Sequence, residues 1–232
     1  MPTEHNTHNL AIARTQSNRQ KGDSIMRVHD FSFSTGNKKL GAHVGNFSVL
    51  GGVTCPKDAP CYSKGCYMNK LRELRPNVKN AYANNTKLLM IEHRYDEFVD
   101  AACYFIWEND FKLFRWQVDG DIFSIEYLNA LCTIAKRNPE VSFMAFSKQY
   151  DIVEQGYALG IVPDNFKIVL SAWNEYKPEN KFNLPVAWYD DGKHPDLIPS
   201  DGFVCPGNKS NCKKCQFCFH AKNGANIILK KH

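Results

Sequence analysis

"KLFRWQVDGDIFSIEYLNALCTIAKRNPEVSFMAFSKQY", residues 112–150, decides the fold. "KLFRWQV" is an apolar run of strand length that ends in the acidic turn "DGD". "SIEYLNALCTIAKRNP" then puts Ile125, Leu128, Leu131, Cys132 and Ala135 on one helical face, with Ser124 placed to cap it. "VSFMAFSK" is a second strand. Two strands joined by a helical crossover lie parallel, with a right-handed connection. The pattern repeats downstream: "YDIVEQGYALGIV" reads as a helix, "FKIVLSAW" as a third strand and "NLPVAWYDD" as a fourth. The alternation predicts an α/β fold with a parallel sheet, either open or closed into a partial parallel (βα) barrel.

Upstream, "MRVHDFSFS" and "HVGNFSVLGG" read as two short strands of an N-terminal hairpin turning at "TGNKK". The stretch from Cys66 to Asp110 is mostly helical in pattern. It breaks near Pro76 and resumes with Tyr95, Phe98, Val99, Ala102 and Ile106 at helical spacing. Residues 1–24 are polar and are expected to form a flexible leader. Residues 25–200 would form the α/β domain with its cysteine loop, and residues 201–232 a Cys-rich, metal-binding C-terminal extension.

A parallel sheet gathers its functional groups at the carboxyl ends of its strands. Here those ends are Gln117, Asp119 and Asp121; Ser147 and Lys148; Ser171, Trp173 and Asn174; and Tyr189, Asp190 and Asp191. Any one of them could equally be a solvated turn residue or a helix cap. Asp119 and Lys148 stand out as candidate catalytic groups, because each ends an apolar strand where a charge is costly. The chain shows no phosphate-binding glycine loop, no nucleophile elbow and no membrane-length apolar run. A net charge of +5 permits contact with nucleic acid without arguing strongly for it.

The nine cysteines fall mostly into two groups, Cys55/Cys61/Cys66 and Cys205/Cys212/Cys215/Cys218. Cys103 and Cys132 stand apart and are expected to pack as buried thiols. Tight grouping in a chain expected to stay in the reducing cytoplasm points to metal rather than disulfides. Steps of six, two and two residues, "CPGNKSNCKKCQFCF", wrap one polypeptide around a four-iron cluster in the bacterial ferredoxin manner. Zinc is the alternative, and His220 a substitute ligand. Three thiols on the loop "TCPKDAPCYSKGCYMNK" would leave one position of a [4Fe–4S] cluster open to a small molecule. The two groups could instead share a single site.

"KLGAHVGNFSVLGGVTCPKDAPCYSKGCYMNKLRELRPNVKNAYANN", "FRWQVDGDIFSIEYLNALCTIAKRNPEVSFMAFSKQY" and the cysteine-rich end together resemble the phage gene-product-88-type proteins, over roughly residues 35 to 220. The resemblance implies a phage or prophage protein working in the cytoplasm of its host cell. That family is in turn distantly similar to radical S-adenosylmethionine (SAM) enzymes, which implies a radical-SAM-like partial barrel. Cys55, Cys61 and Cys66 would then hold a [4Fe–4S] cluster that binds SAM, and a 5′-deoxyadenosyl radical would attack an unknown substrate at the strand ends. The triad spacing differs from the usual C-x3-C-x2-C, and no Gly-Gly-Glu segment receives the SAM amino group. Asp119 or Asp121 of "VDGD" would take that place as cofactor-binding residues.

Three readings remain open at the level of sequence. One is an iron–sulfur enzyme, and one a non-enzymatic iron–sulfur protein for structure, electron transfer or redox sensing. The third is a zinc-stabilised nucleic-acid-binding protein, in which Lys209, Lys213 and Lys214 interleave with the cysteines and Phe217 and Phe219 stand beside them.

Overall fold

A computed structural model describes residues 25–63 and 66–230; the expected leader, residues 1–24, lies outside the described residues. The chain runs β1 (Ile25–Val28), β2 (Phe31–Ser34), β3 (Val44–Phe47), α1 (Pro60–Ser63), α2 (Tyr67–Leu74), α3 (Pro76–Thr86) and α4 (Tyr95–Glu108). It continues through β4 (Leu113–Trp116), α5 (Ile125–Arg137), β5 (Ser142–Ser147), α6 (Tyr150–Ala158), β6 (Phe166–Ala172) and β7 (Val186–Asp190). The last part holds β8 (Phe203–Val204), α7 (Cys212–Cys215) and β9 (Asn226–Lys230).

Among the described residues these strands form one nine-stranded sheet in the order β1-β2-β3-β4-β5-β6-β7-β9-β8. Pairing is antiparallel from β1 to β3 and parallel from β3 to β8. The parallel α/β expectation holds, and the sheet stays open, with β1 and β8 as its edges. Ser124 caps α5 by accepting a hydrogen bond from the Tyr127 N–H, as its position in sequence implies.

The N-terminal hairpin differs from expectation. "MRVHDFSFS" already contains two strands, because His29 and Asp30 both adopt positive φ and turn the chain within two residues. "TGNKK" belongs to the longer connection that leads into β3. The C-terminal extension is also more than a metal clip: β8 and β9 continue the sheet, and β9 inserts between β7 and β8. Short apolar runs such as "FV" and "NIILK" carry no period that separates them from loop.

Alternation along the strands divides the core. Phe47, Phe114, Trp116, Phe143, Ile168 and Leu170 face helices α4, α5 and α6 and build the main core. Phe98 of α4 sits among Phe31, Phe33, Phe47, Trp116 and Tyr127, with ring centroids 4.6–6.3 Å away. On the opposite, inner face Val44, Leu113 and Met144 pack with Leu40 and Phe219, and Val169, Ala187 and Ile227 form a neighbouring apolar patch. Cys205, Cys212 and Cys218 join these inner patches, so the Cys-rich extension covers the face that the helices leave bare.

Candidate functional site

Two hydroxyls join the cysteine loop to the carboxyl end of β4. The Ser48 hydroxyl accepts from the backbone N–H groups of Val118 and Asp119, at 3.1 and 3.3 Å. Thr54 donates to the Leu50 carbonyl and accepts from the Asp121 N–H, both at 3.1 Å. Gln149, just past β5, donates to the Thr54 carbonyl at 3.0 Å. The loop is thus held against the ends of both central strands, and Cys66 leads directly into α2.

Cys55 interacts electrostatically with Asp121, Asp119 and Cys61, and Cys61 with Lys148, Cys66 and Asp121. The three loop thiols therefore share one neighbourhood with the candidate strand-end residues Asp119, Asp121 and Lys148. Burial pushes the Cys55 thiol up to about 12, and Asp121 and Asp119 add to that; a hydrogen bond from the Gly52 backbone works against it. Burial also raises the Cys61 thiol, against the pull of the Lys148 ammonium.

The strand-end acids have distinct partners. Both Asp119 oxygens accept from one Arg72 nitrogen at 2.7 Å, with the two side chains 2% and 11% exposed. Asp119 is therefore a positioning group in a buried ion pair rather than a free base. Arg72 also donates to Asn69 and reaches electrostatically to Cys66 and Cys55. Gly51 permits this arrangement, because a Cβ there would strike the Asp119 carboxylate. Asp121 is buried and accepts from the Ser147 hydroxyl at 2.6 Å and from the N–H groups of Lys148 and Ile122 at 2.9 and 2.8 Å. Burial raises its carboxyl pKa against those three hydrogen bonds.

The remaining rim residues divide. Gln117 turns away: with φ at 47° it is buried under α5 and donates to the Tyr127 hydroxyl at 2.7 Å. The Ser171 carbonyl accepts from the Tyr150 hydroxyl at 2.5 Å, and Tyr176, against Tyr150, donates to the Lys148 carbonyl at 3.4 Å. Trp173 meets Tyr189 edge-on at 4.7 Å, and Asn174 donates to Asp191 at 3.4 Å. Asp190 accepts from the Gly192 N–H within a turn. An aromatic rim of Tyr150, Trp173, Tyr176 and Tyr189 thus extends along the strand ends.

The second group assembles on the inner face. Asn37 accepts from the N–H groups of Lys39 and Leu40, both at 2.9 Å, and shapes a turn. The carbonyls of Lys39 and Leu40 accept from the N–H groups of Cys212 and Lys213 at 3.0 and 2.9 Å. Asn211 accepts from the Lys214 N–H at 3.0 Å, and the left-handed Gln216 ends the α7 turn. The Cys205 N–H donates to the Ile228 carbonyl at 2.9 Å. Cys212 interacts electrostatically with Cys205 and Cys215, and Cys218 with all three of the others.

Two cations face this group. The Lys39 ammonium lies 3.9 Å from the Cys205 sulfur, and Arg115 interacts with Cys212 and Cys218. The Arg115 guanidinium stands 5.2 Å over the Phe146 ring, and its buried Nε has no hydrogen-bond partner among the described residues. Burial pushes Cys218 up to about 12 and raises Cys212. An apolar cover with cations facing the thiols is the kind of setting that suits a thiolate-held group of net negative charge.

Among the described residues, no group of three or more His, Cys, Asp or Glu is arranged to hold a metal ion. All nine cysteines are free. His220 meets Gln216 at 3.3 Å. Cys132 is buried in the helical core, with burial raising its thiol to about 12, and Cys103 accepts from Asn138 at 3.3 Å; both are packed thiols. Arg72, Lys39 and Arg115 escaped sequence reasoning. Arg72 lies six residues past Cys66 in "KLRELR", which reads as surface charge until α2 folds back on β4.

Fold and site define an α/β protein with a mostly parallel sheet. A three-thiol loop stands at its strand ends, and a four-thiol segment covers its inner face. The chain belongs to the Gene product 88 family, whose profile matches residues 6–201. It is 31% identical over 104 residues to the Gene 88 protein of Mycobacterium phage L5, a match covering 42% of this chain and 44% of that protein. No solved structure matches. Among the described residues, no helix is long and apolar enough to cross a membrane.

Proposed function

We propose that this phage-family protein binds iron–sulfur clusters at both thiol groups. The observation that carries the reading is the setting of the two thiol groups: Lys148 and Arg72 stand beside the loop thiols, and Lys39, Arg115 and the apolar inner face stand beside the four-thiol group. Cys205, Cys212, Cys215 and Cys218 would saturate one cluster. Cys55, Cys61 and Cys66 would hold a second, with one coordination position open beside Asp121, Lys148 and the aromatic rim.

An open iron can coordinate SAM, and a cluster so loaded supplies one-electron chemistry. On a radical-SAM-like scaffold the chain's own residues would orient and enclose the reactants. Arg72, fixed by Asp119, presents a guanidinium beside Cys55 and Cys66 that suits a carboxylate. Lys148 at the end of β5 and Asp121, which follows β4 and is held by Ser147 and the Lys148 N–H, would stand beside the substrate, and Tyr150 and Tyr176 would limit access of water.

Purification without oxygen, followed by iron, sulfide and zinc analysis, tests the cluster claim. The expected result is brown protein with iron and acid-labile sulfide in equal amounts. Cys66→Ala should lose the open cluster and keep the other. Adding SAM to the reduced protein should alter the electron paramagnetic resonance signal and release 5′-deoxyadenosine. Colourless protein carrying zinc alone would overturn the reading; an intact cluster indifferent to SAM would remove the radical-SAM part only.

A further inference from the structure

Residues 202–230 contain five lysines and no Asp or Glu, and residues 31–47 contain Lys38 and Lys39 and likewise no acid. Since the whole chain is +5, the rest of it is net negative. The two segments meet in the fold, where the carbonyls of Lys39 and Leu40 accept from the N–H groups of Cys212 and Lys213. That contact sets the pair Lys38–Lys39 beside the pair Lys213–Lys214. Gly41 permits it, since a Cβ at its φ of +93° would lie 2.9 Å from the Lys213 Cβ. Lys38, Lys209, Lys213 and Lys214 are exposed, and among the described residues no ion pair involves them. Asp201, the acid nearest in sequence to the extension, accepts from Asn226 at 3.4 Å.

An open recess of about 450 Å³ adjoins the lysines, lined by Thr35, Asn37, Lys38, Asn211 and three small residues, with no acid among them. Its size is that of a small-molecule site, and its polar lining offers hydroxyl, amide and ammonium donors. Lys39 links this recess to an exposed ring. The Lys39 ammonium lies 3.9 Å from the Cys205 sulfur, and Cys205 follows Phe203 by two residues, about 7 Å of extended chain. Of the rings expected from sequence to meet a base, Phe219 is only 2% exposed and Phe217 is covered by Phe203, stacked at 4.0 Å and 6°. Phe203 itself is 37% exposed. With one face of its ring on Phe217, that exposure falls on the other face and the rim.

Like charges gathered without partners oppose folding and favour an anionic ligand. The charges are spread from recess to ring rather than focused on one point, which suits a polyanion. An exposed ring beside lysines is a platform for an unpaired base, and this feature selects a nucleic acid over an acidic protein. The face carries only the four-residue helix α7, too short to read the groove of a duplex. We propose that this face binds single-stranded nucleic acid, with the lysines on its phosphates and a base stacked on Phe203. The groups invoked are lysines, a recess and a ring, so the proposal is independent of the iron–sulfur reading.

The probe is a labelled oligothymidylate of about 20 nucleotides, longer than the usual single-strand site, titrated with the full chain and followed by fluorescence anisotropy. Binding should weaken at least about tenfold between roughly 50 and 200 mM salt, as counterion release from three or four phosphates requires. Lys38→Gln/Lys213→Gln/Lys214→Gln should weaken it by about tenfold at the lower salt and flatten the salt dependence. Lys79→Gln/Lys136→Gln/Lys177→Gln removes the same charge from exposed positions elsewhere and should change binding by no more than about twofold. Phe203→Ala should weaken binding by about tenfold with the salt dependence kept, and Phe203→Tyr should restore it. The matching duplex should bind more weakly than the single strand. The salt titration and the duplex comparison use the unaltered chain, so they do not depend on whether a variant folds. Binding that is absent at 50 mM salt, indifferent to salt, reduced equally by both lysine variants or undiminished by Phe203→Ala overturns the proposal. Preference for the duplex also overturns it, as does displacement of the strand by polyglutamate at equal charge, the mark of a surface that reads acidic protein.

Discussion

The two faces of the sheet are covered by different means. Toward α4–α6 the strands present Phe47, Phe114, Trp116 and Phe143, and the helices answer with Phe98, Phe105, Tyr127 and Leu128, all fully or almost fully buried. Toward the extension they present the smaller Val44, Leu113, Val169 and Ala187, answered by Phe219 and by cysteines. The helical face buries the larger apolar side chains. The inner face presents smaller apolar residues and more thiol, so on the iron–sulfur reading its cover would depend on the metal that the thiols hold.

The sharpest way to break the comparison is within the aromatic layer. Phe98→Ala should cost about 3–5 kcal/mol, because the cavity it leaves is walled by rings that cannot collapse. Urea unfolding of the two proteins measures this. Next, Arg72→Gln should cost about 3 kcal/mol by leaving Asp119 buried without its partner, and Asp119→Asn in the same background should restore part of that loss. A thermal or urea comparison of single and double variants would show the restoration, and its absence would mean that the pair is not coupled.

On the inner face, Gly41→Val should cost about 1–3 kcal/mol and unseat the α7 turn, since it combines a positive φ with a contact of 2.9 Å to Lys213. The expected readout is early proteolysis within residues 201–230 with the helical signal in circular dichroism preserved. Removing metal with a chelator should give the same pattern at the same segment, and unchanged protease resistance would contradict a metal-ordered layer. The smallest effect is expected at Cys132, which should resist alkylation in the folded protein because it is buried and its thiol is pushed up to about 12.

The helical face was legible in sequence because its period and lengths are regular: Ile125, Leu128, Leu131, Cys132 and Ala135 mark α5 by spacing alone. The N-terminal hairpin was misplaced by one turn, because His29 and Asp30 reverse the chain with neither Gly nor Pro. β8 and β9 were missed because two and five residues carry no period. Gln117 and Asp119, two positions apart at the end of one strand, look alike in sequence. In the fold one lies beneath α5, and the other is clamped by an arginine from α2.

By itself the sequence determined the alternation of strand and helix, the two cysteine groups, and the acids and lysine that end the central strands. Spacing along a chain is local information, and hydrophobic period and ligand spacing are both local. Only the tertiary structure decided that the three-thiol loop meets Asp119, Asp121 and Lys148, that Arg72 and Lys39 belong to the two sites, and that the extension joins the sheet. Those contacts join residues up to 166 positions apart, and only packing of the whole core selects them.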